Sequence, residues 1–193
     1  MMNRKIIVAY IYSLICFCFF LPTSVQAVEI NGVNFANSFP AGQTRLALTG
    51  TAMLKWGLLF DVYAGAFYMP EGISGSQWTD NIPKRLELSY FRNFKAEEFS
   101  STSDQLLRDN LSNQEYQALT ERLQQFYQLF KDIKSGDRYS LTYHPETGTE
   151  LRLNGELLGT APGADFAVAY LGIWLGPQPI NEEFRDRLLR DRS

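Results

Sequence analysis

The sequence predicts an α+β domain in which an antiparallel β-sheet is covered on one face by helices. Three observations carry that prediction: several separate runs with period-two apolar alternation, two amphipathic helical stripes between those runs, and an Asn-Gly dipeptide joining two short extended segments. Strands and helices come in blocks, which is the order of a segregated sheet-and-helix architecture rather than of alternating parallel units. No internal repeat, linker or low-complexity stretch divides the chain.

Arg45 to Lys55 alternates, and the alternation places Leu46, Leu48, Ala52 and Leu54 on one face of a half-buried strand. After Trp56 and Gly57 a second long strand runs from Leu58 to Met69, with Phe60, Val62, Ala64, Ala66 and Tyr68 on one face and Asp61, Tyr63 and Phe67 on the other. The short connection makes the pair an antiparallel hairpin. Lys84 to Phe91 supplies a further strand, with Leu86, Leu88 and Tyr90 alternating against Arg85, Glu87 and Ser89. A helix over about Ala96 to Asn110 follows. A second opens at Ser112, whose hydroxyl caps it while Glu115 reaches back, and its apolar stripe runs through Tyr116, Leu119, Leu123, Phe126, Tyr127, Phe130 and Ile133. Tyr139 to Tyr143 returns to extended form, and Glu150 to Leu153 and Glu156 to Thr160 pair across Asn154-Gly155. Asp165 to Leu175 is helical in pattern, and a last helix opens at Asn181 with Glu182 and Glu183 in its first turn.

The first residues stand apart from this pattern. Asn3, Arg4 and Lys5 precede a charge-free apolar run from Ile6 to Leu21, and Val25 and Ala27 are small residues at a plausible cleavage point. Residues 1–27 are therefore expected to be a removable signal peptide and residues 28–193 the folded domain. An uncleaved anchor is the alternative, since the run could almost cross a ~30 Å hydrocarbon layer; polar sequence directly after Ala27 favours cleavage. No stable membrane insertion is expected of the remainder. Cys16 and Cys18 leave with the segment, so disulfides and thiolate chemistry are excluded. Sixteen basic residues then face twenty-one acidic ones, a net charge of −5, which makes a poor surface for nucleic acid or anionic lipid.

His144 is the only histidine, so with no mature cysteine a Cys-His nucleophile and a multi-histidine metal site are both unavailable. No metal, no cofactor and no catalytic residue is expected. Phosphate-cradling glycine loops are missing too: Gly148 and Gly155 fit turns, and Gly163 a helix start.

The long hairpin, Gly50-Thr51-Ala52-Met53-Leu54-Lys55 followed by Asp61-Val62-Tyr63-Ala64-Gly65-Ala66-Phe67-Tyr68-Met69, resembles the chalcone isomerase-like proteins, especially their exported bacterial members. The resemblance continues through Pro83-Lys84-Arg85-Leu86, Gly136-Asp137, Tyr143-His144-Pro145, Asn154-Gly155, Asp165-Phe166 and Ile173-Trp174-Leu175-Gly176. It implies an open-faced β-sandwich and a periplasmic location. It also implies one of two activities. The family's plant enzymes close a chalcone without cofactor, using an arginine, a threonine, a tyrosine and an asparagine to stabilise developing charge. Its non-catalytic members bind fatty acids through a basic residue on one strand and a tyrosine on the next.

Against the enzymes this chain departs, with Lys55 in the arginine's place, Tyr63 for the threonine, Phe99 and Leu106 for the tyrosine and asparagine, and Ile180 for a late hydroxyl residue. Lys55 and Tyr63 resemble the fatty-acid-binding pair, which implies a ligand site for a small amphipathic or aromatic acid. Read from the residues alone, Lys55 can equally end a strand in solvent while Tyr63 packs with its hydroxyl satisfied. Three functions follow: a non-catalytic binder of such an acid, a cofactor-independent isomerase or lyase, and a structural or interaction protein of the cell envelope. The oligomeric state is left open.

Overall fold

The computed structural model describes residues 27–57 and 60–190. The expected signal peptide up to residue 26, with Cys16 and Cys18, and the expected strand start at Leu58 lie outside the described residues. Two short strands, β1 (Ala27–Ile30) and β2 (Val33–Ala36), form a hairpin of their own. Seven strands follow in one sheet: β3 (Ser38–Ala41), β4 (Thr44–Trp56), β5 (Phe60–Pro70), β6 (Lys84–Tyr90), β7 (Arg138–His144), β8 (Gly148–Leu153) and β9 (Glu156–Ala161). They lie side by side in chain order, every pair antiparallel. The helices are α1 (Ala96–Asn110), α2 (Asn113–Tyr127), α3 (Ala164–Leu175) and α4 (Glu182–Leu188). The predicted α+β class and the predicted pairing of helices are both present.

Two bulges correct the single-faced reading of the long hairpin. Leu48 pairs with Tyr68 and Gly50 with Phe67, so Thr49 is an extra residue, and the side chains after it swap faces. Leu46 and Leu48 therefore pack with Ala64, Ala66 and Tyr68 under the β1–β2 hairpin, whereas Ala52 and Leu54 pack with Tyr63 and Phe67 on the helical face. A second shift, between Leu54–Tyr63 and Lys55–Asp61, makes Val62 the extra residue of β5. Period-two alternation has no means of detecting an inserted residue, which is why all four apolar residues of β4 read as one face.

The sheet is consequently less open than the sequence suggests. Its second face carries its own cluster of Phe35, Leu46, Ala64, Ala66 and Tyr68, all fully buried. Beneath the same hairpin, Glu87 lies between Arg85 at 3.0 Å and Arg138 at 2.8 Å, and Arg138 also donates to the carbonyl of Asn34 in β2. Asn31-Gly32 turns this hairpin with positive φ at both residues, the same device that Asn154-Gly155 supplies between β8 and β9.

Helix boundaries follow from local chemistry. The Ser112 hydroxyl accepts from the Glu115 amide at 3.3 Å and the Glu115 carboxylate accepts from the Ser112 amide at 2.9 Å, the expected capping box. The helix ends at Tyr127, earlier than its apolar stripe: Phe130 and Ile133 stay buried, but in an extended return whose Ile133 bridges to Phe94. Asn181 caps α4 by accepting from the Phe184 amide at 2.8 Å. That helix crosses the long hairpin at Gly50 and Gly65, where a Cβ would meet its backbone carbonyls and the ring of Phe184.

Candidate functional site

Between the sheet and the helices lies a slot lined by Leu86, Leu88 and Tyr90 of β6, Tyr139 and Leu141 of β7, Leu151 of β8, Phe99 and Ser103 of α1, Phe130, and Tyr170 and Trp174 of α3. Period-two alternation brings the strand residues to one face, and the i, i+4 spacing of Phe99 with Ser103 and of Tyr170 with Trp174 aligns each helical pair over it. The rings interlock edge-on. Tyr90 meets Phe99 at 5.5 Å and Tyr139 at 6.1 Å between centroids, and Phe99 stacks on Phe130 at 5.3 Å. As a result the slot keeps a free volume of only about 40 Å³, enough for a water or two. Aromatic side chains therefore fill most of the space between sheet and helices.

Polar atoms enter this slot at three places. The hydroxyls of Ser103 and Tyr170 are 3.0 Å apart. One helical turn along α3, the indole N–H of Trp174 donates to the Tyr63 hydroxyl at 2.9 Å. Tyr90 is buried, lines the slot, and among the described residues offers its hydroxyl no hydrogen-bond partner. Burial pushes the phenols of Tyr63, Tyr90, Tyr139 and Tyr170 upward, so all four stay neutral donors across the physiological range. No carboxylate, amine, guanidinium or imidazole lines the slot.

The two sequence-predicted ligand residues are not brought together. Tyr63 faces the helices, packed edge-on against Tyr90 and Phe184 at 5.4 Å each. Lys55 follows Leu54 in β4 and faces the other way, at the end of the strand, where its amine pairs with Asp61 at 3.2 Å and its side chain is 54 % exposed. Asp61 also accepts from Asn31 at the tip of the β1–β2 hairpin. Lys55 therefore ends its strand in solvent and contributes no cation to the slot, because Leu54 holds the inward position opposite Tyr63. Phe99, Leu106 and Ile180 pack against the apolar core. His144 is at the opposite end of β7 from Tyr139, beside the turn to β8.

Tyr90, Ser103 and Tyr170 are the slot's polar contributors, and sequence reading passed over them as alternating or helical core positions. The available signal was composition within the pattern: a tyrosine on the inward face of β6 and a serine in the middle of an apolar helical stripe each bring a hydroxyl where leucine would pack without one.

A larger groove, of about 480 Å³, runs between α2 and α3 and is lined mainly by small apolar residues, Ala118, Ala164, Val168, Ala169 and Gly172, with Trp78 at its floor. Its rim carboxylates are committed elsewhere: Glu115 caps α2 and Asp165 pairs with Arg122. Among the described residues, no group of acidic, histidine or cysteine side chains is arranged to hold a metal ion.

Similarity to known proteins agrees with this architecture. No curated protein matches the sequence. Among solved structures, the crystal structure of a fatty-acid binding protein of Arabidopsis thaliana superposes with a TM-score of 0.68 at 18 % identity, over 85 % of this chain and 96 % of that one, and so shares its fold. The model of the chalcone isomerase-like family matches residues 27–190, nearly the whole described chain, and the protein belongs to that family.

Proposed function

We propose that the protein is an exported, periplasmic, non-catalytic binder of a small amphipathic acid, taken into the aromatic slot in its uncharged form. The observation that carries this reading is the Tyr90 hydroxyl, which belongs to a residue lining the apolar slot and has no protein hydrogen-bond partner among the described residues. A ligand hydrogen bond to that hydroxyl contributes about 0.5–1.5 kcal/mol net. The Ser103–Tyr170 pair stands ready to share the same head group.

Without a cation in the slot, a carboxylate would be desolvated uncompensated, and the protonated acid is the form that fits. The alkyl or aryl tail then takes the place of Phe99 and Trp174, both only partly buried at the slot's outer side. The fatty-acid binding named for the Arabidopsis protein of the same fold supports this ligand class. Acid-base chemistry has no support in a lining whose only titratable groups are neutral phenols.

A second reading, an envelope interaction protein whose slot is filled by its own side chains, draws on the small free volume of about 40 Å³. Calorimetric titration with a medium-chain fatty acid separates the two. The binding reading expects a saturable 1:1 isotherm that weakens in Tyr90→Phe and in Ser103→Ala. No heat at any concentration below micelle formation would favour the filled slot instead.

A further inference from the structure

Of the three large apolar side chains that stand exposed among the described residues, two are neighbours. Trp56 is 75 % exposed and Phe60 53 %, and they face each other on the last rung of the β4–β5 hairpin. The sequence between them, Gly57-Leu58-Leu59, carries no charge. Directly behind this rung stand two cations. Lys55 pairs with Asp61, and the Arg92 guanidinium lies 5.2 Å from the centre of the Phe60 ring with no carboxylate partner among the described residues. The hairpin tip is thus an aromatic end backed by a local charge of +1, on a domain whose overall charge is −5.

We propose that this tip is a membrane-contact element, inserting Trp56 and Phe60 among the head groups of a phospholipid bilayer while Arg92 and Lys55 stay at the level of the phosphates. The arrangement repeats the order found at bilayer interfaces, amphipathic aromatic rings with cations reaching outward past them. A stable protein interface needs about 800 Å² from each side, more than two exposed side chains on one rung supply, whereas two interfacial aromatic rings backed by cations suffice for contact with a bilayer. The contact is interfacial: no described helix is long and apolar enough to cross a membrane. It is independent of the slot and of any ligand in it.

The test is vesicle partitioning of the chain from Ala27 onward, because the apolar segment before it would itself bind lipid and both described cores lie after it. With phosphatidylcholine vesicles, the unmodified chain should co-sediment, and bromine-labelled acyl chains should quench part of its tryptophan emission. Trp56→Ala combined with Phe60→Ala should lower partitioning by about tenfold and abolish that quenching, with circular dichroism and thermal midpoint unchanged because both side chains are exposed. Failure of the unmodified chain to bind, or equal binding by the double variant, would overturn the proposal. So would a dimer in solution that disappears in the double variant while neither protein binds vesicles.

Discussion

Truncating Phe99 should weaken the fold and strengthen ligand binding at the same time. Its ring stacks on Phe130 at 5.3 Å, meets Tyr90 at 5.5 Å and Tyr139 at 5.2 Å, and occupies one wall of the slot. Full burial of a phenylalanine makes its loss to alanine cost about 3–5 kcal/mol; with Phe99 only partly buried, about 2 kcal/mol is expected. In a domain of this size that lowers the thermal midpoint by roughly 4–8 °C. The vacated space accepts at least two ligand methylenes, each contributing about 0.8 kcal/mol on burial, so affinity for a medium-chain acid should rise about tenfold. Calorimetry on Phe99→Ala at fixed pH reads the affinity, and a melting series with and without acid reads the stability; saturating ligand should recover most of the lost midpoint. A variant that loses affinity along with stability would refute the account, because the ring would then be a ligand contact and not the group that fills the ligand's place.

Three further outcomes test the scaffold. Gly50→Ala places a Cβ against the carbonyl oxygens of Arg187 and Leu188, the second at 2.6 Å where ordinary contact begins near 3.4 Å, so α4 must lift and Phe184 and Leu188 lose burial; urea denaturation should show a loss of about 2–4 kcal/mol. Glu87→Ala leaves Arg85 and Arg138 without their shared carboxylate under the β1–β2 hairpin, and should cost about 3 kcal/mol in the same assay. Lys84 is buried against the Tyr143 ring and donates to the Asp80 carbonyl, and desolvation pushes its pKa down to about 8. Below about pH 8 the amine is charged in both states and the penalty is complete; between there and the unfolded value of 10.5 the unfolded chain binds more protons. Stability should therefore rise with pH across that window, by up to about 1.4 kcal/mol per unit, and Lys84→Met should flatten the rise.

Much of the architecture was legible in the chain. The inward alternation of Leu86, Leu88 and Tyr90, the Ser112–Glu115 capping box and the Asn154-Gly155 turn each encode a local choice that agrees with the final fold. The β1–β2 hairpin was equally encoded, by Asn31-Gly32 between Val28, Ile30, Val33 and Phe35, and passed unread because each of its strands is only four residues long. What the pattern could not carry was register. Thr49 and Val62 are inserted residues, and only pairing with the neighbouring strand reveals them. Lys55 entered the candidate site through the family resemblance; it sits one residue along from Leu54, and one residue in a strand decides between the slot and solvent. Tyr63 faces the helices, and its hydroxyl is held by Trp174, a contact 111 residues away in sequence that no local reading supplies.

The absence of a cation among the slot's lining residues is the feature from which ligand form, site and chemistry all follow. It is tested most directly by the affinity for one medium-chain fatty acid measured from about pH 8 down to about pH 5, where a carboxylic acid near its reference value begins to gain its proton. Binding of the neutral acid predicts an affinity that climbs steadily as the pH falls, approaching tenfold per unit, with the same slope at lower affinity in Tyr90→Phe. An affinity that is flat, or that grows as the pH is raised, would place the bound carboxylate beside a positive charge and contradict the slot as its site.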